Sequence, residues 1–160
     1  MDGFRELQRK DKKISEDECV ELLIKEKRGV LAVLGDGGYP YCMPMNHYYN
    51  PADGCIYFHT GKSGHRLDSL AKSDKVSLCV FEDGTSKDGE WAKDVRSVIV
   101  FGKIELITDR EKTAEITAAL SRKFTADEDY INKEIKAFLD ATLLLKLTPE
   151  HVSGKRVRES

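Results

Sequence analysis

The strongest constraint on the fold is the length of the apolar runs, which are strand-sized and mostly joined by short turns. Val30 to Leu34 is one such run, and Gly35-Asp36-Gly37-Gly38 behind it supplies the positive-φ residues of a hairpin. Tyr39 to Tyr49 is the return segment. Pro40 and Pro44 within it cannot donate ladder hydrogen bonds, so this strand is interrupted, bulged or at an edge. Cys55 to Thr60 follows a turn at Asn50 to Gly54. Val76, Leu78 and Val80 then alternate with Ser77, Cys79 and Phe81, the period-two pattern of a strand. Val95 to Ile107 is the longest strand signal, with Gly102 as a bend or bulge. Thr142 to Leu147 is a final strand, followed by a basic tail from Gly154 to Arg158. Five or six strands in this arrangement do not resemble a βαβ alternation. The expected class is mainly β: a small antiparallel barrel with peripheral helices.

The helices announce themselves by their starts. Ser15-Glu16-Asp17-Glu18 reads as a capping box, with Val20, Leu23 and Ile24 on one face behind it and Gly29 as the stop. Leu67, Leu70 and Ala71 mark a short helix. Thr108-Asp109-Arg110-Glu111 reads as a second capping box, continued by Ile116, Leu120 and Phe124. A further helix is expected from Asp127 to Leu139, with Ile131, Ile135 and Phe138 facing inward. No linker or repeat interrupts the pattern, so residues 1–160 are expected to form a single domain with its core at about 14–150.

Composition limits the partners. The net charge of −2 offers no general basic surface for nucleic acid. No apolar run approaches the roughly 18 residues of a membrane helix, and Met1 to Lys13 is charged where a signal peptide would be apolar. A cytoplasmic protein is the expectation. Cys19, Cys42, Cys55 and Cys79 form no C-x-x-C pair, so reduced thiols are expected and a metal site is not.

The stretch richest in chemistry is His59-Thr60-Gly61-Lys62-Ser63-Gly64-His65-Arg66, which leaves a strand and opens a helix. Helix starts present unpaired amides and a partial positive charge, and glycines let the backbone approach a ligand. Lys62, His65 and Arg66 add charge, and Thr60 and Ser63 add hydroxyls, so a phosphate is the natural guest; a solvated turn with an ordinary cap is the other reading. A P-loop is excluded, because Ile56 stands where that motif needs a glycine. Gly38-Tyr39-Pro40-Tyr41-Cys42-Met43-Pro44-Met45-Asn46-His47 is a second stretch. Its prolines leave backbone groups free to bind something planar, or else protect an edge strand. Arg96-Ser97-Val98-Ile99-Val100-Phe101-Gly102 is a third, a central strand with polar residues at its entrance.

These three stretches, in this order and spacing, resemble the FMN-binding split barrel of the pyridoxamine 5'-phosphate oxidase-like family. Within it the chain is similar to the nitroimidazole-resistance branch, and Ser153-Gly154-Lys155-Arg156 shares in that likeness. The resemblance covers roughly residues 9 to 157. It implies an antiparallel, Greek-key-like split barrel and a homodimer with FMN at the subunit interfaces; FAD and haem are the alternative ligands. It also implies that Lys62, His65 and Arg66 hold the FMN phosphate with help from Thr60, Gly61 and Ser63. Met45, Asn46 and His47 then line the flavin ring, and His59 lies beside the ribityl chain. Arg96, Ser97 and Val98 approach the ring, or the cofactor of the partner subunit. The implied activity is a flavoprotein oxidoreductase that reduces a small acceptor, with a nitroaromatic compound as one such acceptor. The alternative is a non-enzymatic flavin- or haem-binding or sensing protein. The sequence marks no required catalytic acid, and His47, His65 and Tyr41 are the candidate proton donors. His47 stands where many relatives carry an aromatic residue, and an imidazole there suits a flavin-tuning hydrogen bond, space filling, or a metal or haem ligand. An oxidase acting on pyridoxamine phosphate is disfavoured, since Val95-Arg96-Ser97-Val98 stands in place of that enzyme's more basic strand motif.

Overall fold

The computed structural model describes residues 3–159. One seven-stranded sheet runs in the order β2-β1-β5-β6-β7-β4-β3. The strands are β1 (Arg28–Leu34), β2 (Pro40–Asn46), β3 (Tyr48–Asn50), β4 (Cys55–Thr60), β5 (Lys75–Phe81), β6 (Lys93–Ile107) and β7 (Leu143–Glu159). Every pairing is antiparallel. Helices α1 (Glu16–Lys25), α2 (His65–Lys72), α3 (Arg110–Ser121) and α4 (Glu128–Phe138) surround the sheet.

The long β6–β7 pair is the spine. Its register shifts between Phe101 and Gly102, and the bulge divides the pair into two arms. On one arm, residues 97–103 of β6 carry β5, and through it β1 and β2. On the other, residues 143–147 of β7 carry β4 and β3. The sheet therefore curls at the bulge into a half-barrel that stays open between β2 and β4. Gly102 is required at the bend, because a Cβ there would run into the Thr148 carbonyl and the Leu147 side chain.

Alternation places Leu31, Val33, Leu78, Val80, Val98 and Val100 inside, where they meet Ile56, Phe58, Leu145 and Leu147 of the other arm. Helix α1 closes this core with Leu22 and Leu23. The Ser15–Glu18 capping box is formed as its sequence predicts. Gly154 lets β7 pass beneath this helix, since a Cβ there would lie 2.5 Å from the Cys19 sulfur. The opposite face of the β5–β6 arm is apolar as well, with Phe81, Ile99 and Phe101 exposed on it.

Several boundaries differ from the sequence expectation. There are seven strands rather than five or six, because His47 separates β2 from β3. The basic tail is the second half of β7, held by pairing with β6 out to Glu159. Helix α1 ends at Lys25, and Gly29 belongs to β1. The second capping box is not formed. Asp109 caps α3 alone, accepting from the Lys112 amide at 2.6 Å. On α4, Ile131 is buried but Phe138 is exposed.

Candidate functional site

The opening of the half-barrel is where backbone hydrogen-bonding groups remain free. β2 pairs only with β1, which confines Pro40 and Pro44 to a strand whose outer edge is open. β3 pairs with residues 55–57 of β4 and stops, so Phe58 to Thr60 pair only with β7. Between these two edges lies a cleft of about 280 Å³, lined by Arg28, Pro44, Met45, Asn46, His59 and Arg66.

Its charge is one-sided. Arg66, from the first turn of α2, reaches back to β4 and β2: its Nη1 donates to Thr60 Oγ1 at 2.8 Å, and its Nε donates to the Met43 sulfur at 2.9 Å. Arg28 Nε donates to Asn46 Oδ1 at 3.2 Å. Both guanidiniums are thus fixed at the cleft, and no carboxylate lines it. Helix α2 adds its positive end. Gly64 is its N-cap at φ 129°, and no side chain caps the first-turn amides. Lys62 and Ser63 lie exposed on the loop before it. His59 faces the cleft, with its pKa lowered by desolvation and then by the Arg66 guanidinium. Its ring is therefore neutral near pH 7.

The other sequence candidates lie elsewhere. His47 is fully buried, and its ring turns away from the cleft to donate from Nε2 to the Leu23 carbonyl at 2.8 Å. Burial first, then the nearby Lys123 ammonium, push its pKa down to about 4. It is a core histidine, and its ring does not line the cleft of this chain. His65 stacks on Tyr41 with ring centroids 4.1 Å apart, and its Nε2 lies 3.5 Å from Asp36. This pair packs between α2 and the β1–β2 hairpin, outside the cleft lining. Arg96 is consumed by carboxylates. It holds Glu82 in a two-pronged pair at 3.0 Å and lies 3.5 Å from Glu21. The side chain of Val98 is in the core, and its strand is laddered on both sides to Val80 and Gly154. Val98 therefore has neither a side chain nor a free backbone edge to offer the cleft of its own chain. Ser97 is half-buried, in the same doubly paired strand.

Arg28 was missed by sequence reasoning. It opens β1 just after α1, with no motif around it, and only the β1–β2 register opposite Asn46 brings it to the cleft. Lys123 was missed too. It is part-buried just past the end of α3, where Nζ donates to the Glu26 carbonyl at 2.6 Å and to the His47 carbonyl at 2.8 Å. Burial pushes its pKa down to about 8.

The sequence profile of the pyridoxamine 5'-phosphate oxidase family matches residues 15–156. The chain belongs to that family. Solved structures agree with this on the fold. A candidate 5-nitroimidazole antibiotic resistance protein from Bacteroides thetaiotaomicron is 19% identical with a TM-score of 0.75, covering 92% of this chain and 87% of its own. An FAD-binding protein from Mesorhizobium loti is 23% identical with a TM-score of 0.64, covering 91% and 96%. An FAD- and haem-binding protein from Mycobacterium smegmatis is 22% identical with a TM-score of 0.70, covering 90% and 72%. No curated protein matches the sequence. For this member of the pyridoxamine 5'-phosphate oxidase family, the half-barrel is thus the split barrel. No helix among the described residues is long and apolar enough to cross a membrane.

Proposed function

We propose that this chain is a flavin-dependent oxidoreductase that binds FMN in the cleft between β2 and β4 and reduces a small acceptor, with nitroaromatic compounds such as 5-nitroimidazoles as the candidate class. The observation that carries this reading is the cleft's pairing of two fixed guanidiniums with two open strand edges. The donor set fits the nucleotide. A phosphate suits Arg66, Lys62 and the uncapped amides of α2. A planar ring suits the Met45 and Pro44 side and the free edge of β2. The family match and the FAD-binding structural neighbours support a flavin as the ligand class.

When bound, the flavin supplies the electron-transfer chemistry; the chain supplies binding, orientation and charge. Thr60 and Met43 hold the Arg66 guanidinium in place before any ligand arrives, so less side-chain entropy is lost on binding. Asn46 does the same for Arg28. Neutral His59 can donate or accept a hydrogen bond at the cleft without adding charge.

The cleft is an open shelf that covers one side of a ligand. A homodimer in which the partner covers the other side completes it. The apolar outer face bearing Phe81, Ile99 and Phe101 supports that assembly, since exposed patches of this kind mark interfaces.

The test is the visible spectrum of the purified protein, with the mass of the ligand released on denaturation. A two-band flavin spectrum and the mass of FMN are expected, followed by repeated reduction and reoxidation with a donor and a nitroimidazole. A Soret band, or no chromophore taken up on reconstitution, sinks the reading. Bound flavin without sustained turnover would instead make the chain a flavin-binding or sensing protein. Sedimentation of the loaded protein as monomer sinks the shared site.

A further inference from the structure

A second concavity of about 390 Å³ lies on the far side of His59, between α3, α4 and the end of β4. That volume lies within the roughly 300–1,000 Å³ typical of small-molecule sites. Its wall is apolar and aromatic: Phe124, Tyr130, Ile131, Ile135 and Phe138. Three of these are left open to solvent, with Phe124 at 42%, Tyr130 at 54% and Phe138 at 58% exposure. A chain that packs Ile131 to 2% could have closed the α3–α4 contact over these rings as well.

The polar groups of the chamber divide into used and unused. Ser121 Oγ donates to the Thr117 carbonyl at 2.8 Å, and Thr142 Oγ1 donates to the Phe138 carbonyl at 2.9 Å. Thr125 Oγ1 accepts from the Asp127 amide at 3.1 Å. Thr117 Oγ1 is shielded from solvent and so lies behind the chamber surface, out of a ligand's reach. Glu134 makes no ion pair and no hydrogen bond among the described residues, and no lysine or arginine lines the chamber. A carboxylate is an acceptor only, so an unopposed, half-buried Glu134 among aromatic rings calls for a donor or a cation. The two concavities meet at His59 with opposite character: guanidiniums on one side, a carboxylate among aromatic rings on the other.

We propose that the α3–α4 chamber binds a compact aromatic molecule bearing a cationic or N–H-donating nitrogen group, with its ring among the aromatic side chains and its nitrogen toward Glu134. That this molecule is the reaction partner of the cofactor rests on the flavin reading; the binding site itself does not. Aromatic ligands gain from such walls by burial and by ring packing. Glu134 selects against anions, which no group in the chamber would neutralise.

The test uses the full chain with labelled isoleucine methyl groups and three probes: benzamidine, benzyl alcohol and benzoate. Benzamidine is expected to shift the Ile131 and Ile135 methyls saturably while the core Ile56 methyl stays still. Benzoate is expected to shift none. Glu134→Gln should weaken benzamidine by about ten-fold, the scale of one charged hydrogen bond, and leave benzyl alcohol within about two-fold. A Lys62→Ala, Arg66→Ala variant should bind benzamidine as the parent does. Flavin titration followed at visible wavelengths is the separate readout for the cleft. Loss of flavin uptake with benzamidine binding kept would remove the flavin reading and leave the chamber. Absence of a saturable benzamidine shift, or benzoate binding as tightly, overturns the proposal. Methyl shifts that track protein concentration without any probe overturn it too, since a second copy would then cover the chamber.

Discussion

His47 and His59 flank the same corner of the sheet and have opposite fates. His47 sits where β2 gives way to β3, and α1 and α3 close over it. Its ring donates to the Leu23 carbonyl, and its own carbonyl accepts from Lys123. Among the described residues the ring of His59 has no hydrogen-bond partner, and it lines both concavities. The first histidine is part of a sealed polar knot that fastens two helices to the strand break. The second is an uncommitted group at an opening. Residue type does not separate them; which strand edge stays unpaired does.

The comparison is tested hardest on the cleft side. Lys62→Ala with Arg66→Ala should weaken FMN by roughly 2–4 kcal/mol, given about 1.5–3 kcal/mol per charged hydrogen bond and incomplete additivity. The unfolding midpoint should barely move, because Lys62 is exposed and Arg66 makes its bonds at the cleft rim. Unchanged FMN affinity in a titration of this variant would remove the phosphate assignment.

The knot should show itself in stability against pH. Folded His47 takes its proton only near pH 4, whereas the unfolded chain takes it near the ordinary 6.5. Between those values the unfolded state binds more protons. The stability that neutral His47 provides is therefore complete above about pH 6.5 and is lost as the pH falls toward 4, by about 3 kcal/mol in all. His47→Gln keeps a donor for the Leu23 carbonyl and should flatten the urea-unfolding profile between pH 5 and 6.5. Equal slopes in parent and variant would return His47 to the list of accessible groups.

Lys123 is a smaller lever on the same knot. Lys123→Met leaves the Glu26 and His47 carbonyls without their donor and should cost about 1–2 kcal/mol. The parent's folded amine gives up its proton near pH 8, below the ordinary 10.5 of the unfolded chain. The parent's stability should thus climb between those values, and the variant's should not. A variant as stable as the parent, with the same alkaline profile, would show that the ammonium is not held inside.

Much of this was legible from the residues. Pro40 and Pro44 announced an interrupted or edge strand, and the loop from Thr60 to Arg66 announced a helix start. Gly102 announced the bulge that splits the sheet. What could not be read was side-chain direction at the strand break. His47 follows Met45 and Asn46 in sequence, but β2 ends at Asn46, and the next side chain swings into the core. Arg28 and Asn46 meet only through the register of β1 with β2, a non-local fact. The carboxylates that hold Arg96, Glu21 and Glu82, are likewise distant from it in sequence. The chamber was hidden for a similar reason: Phe138 has the spacing of a buried helix face, and only the depth of the α3–α4 contact decides that it stays open.

The smallest expected effect is the one that separates the two histidines most directly. His59→Ala removes a neutral ring that holds up no part of the fold, so the unfolding midpoint should stay within error of the parent. FMN affinity should fall by about 1 kcal/mol, near five-fold, the ordinary worth of one neutral hydrogen bond. Because His59 also walls the α3–α4 chamber, benzamidine should weaken together with FMN, although the two probes are opposite in charge. The Lys62, Arg66 variant touches only FMN, and Glu134→Gln only benzamidine. A His59 variant that loses stability instead, with both ligands unaffected, would make His59 a second His47 and leave the cleft and the chamber as unrelated surfaces.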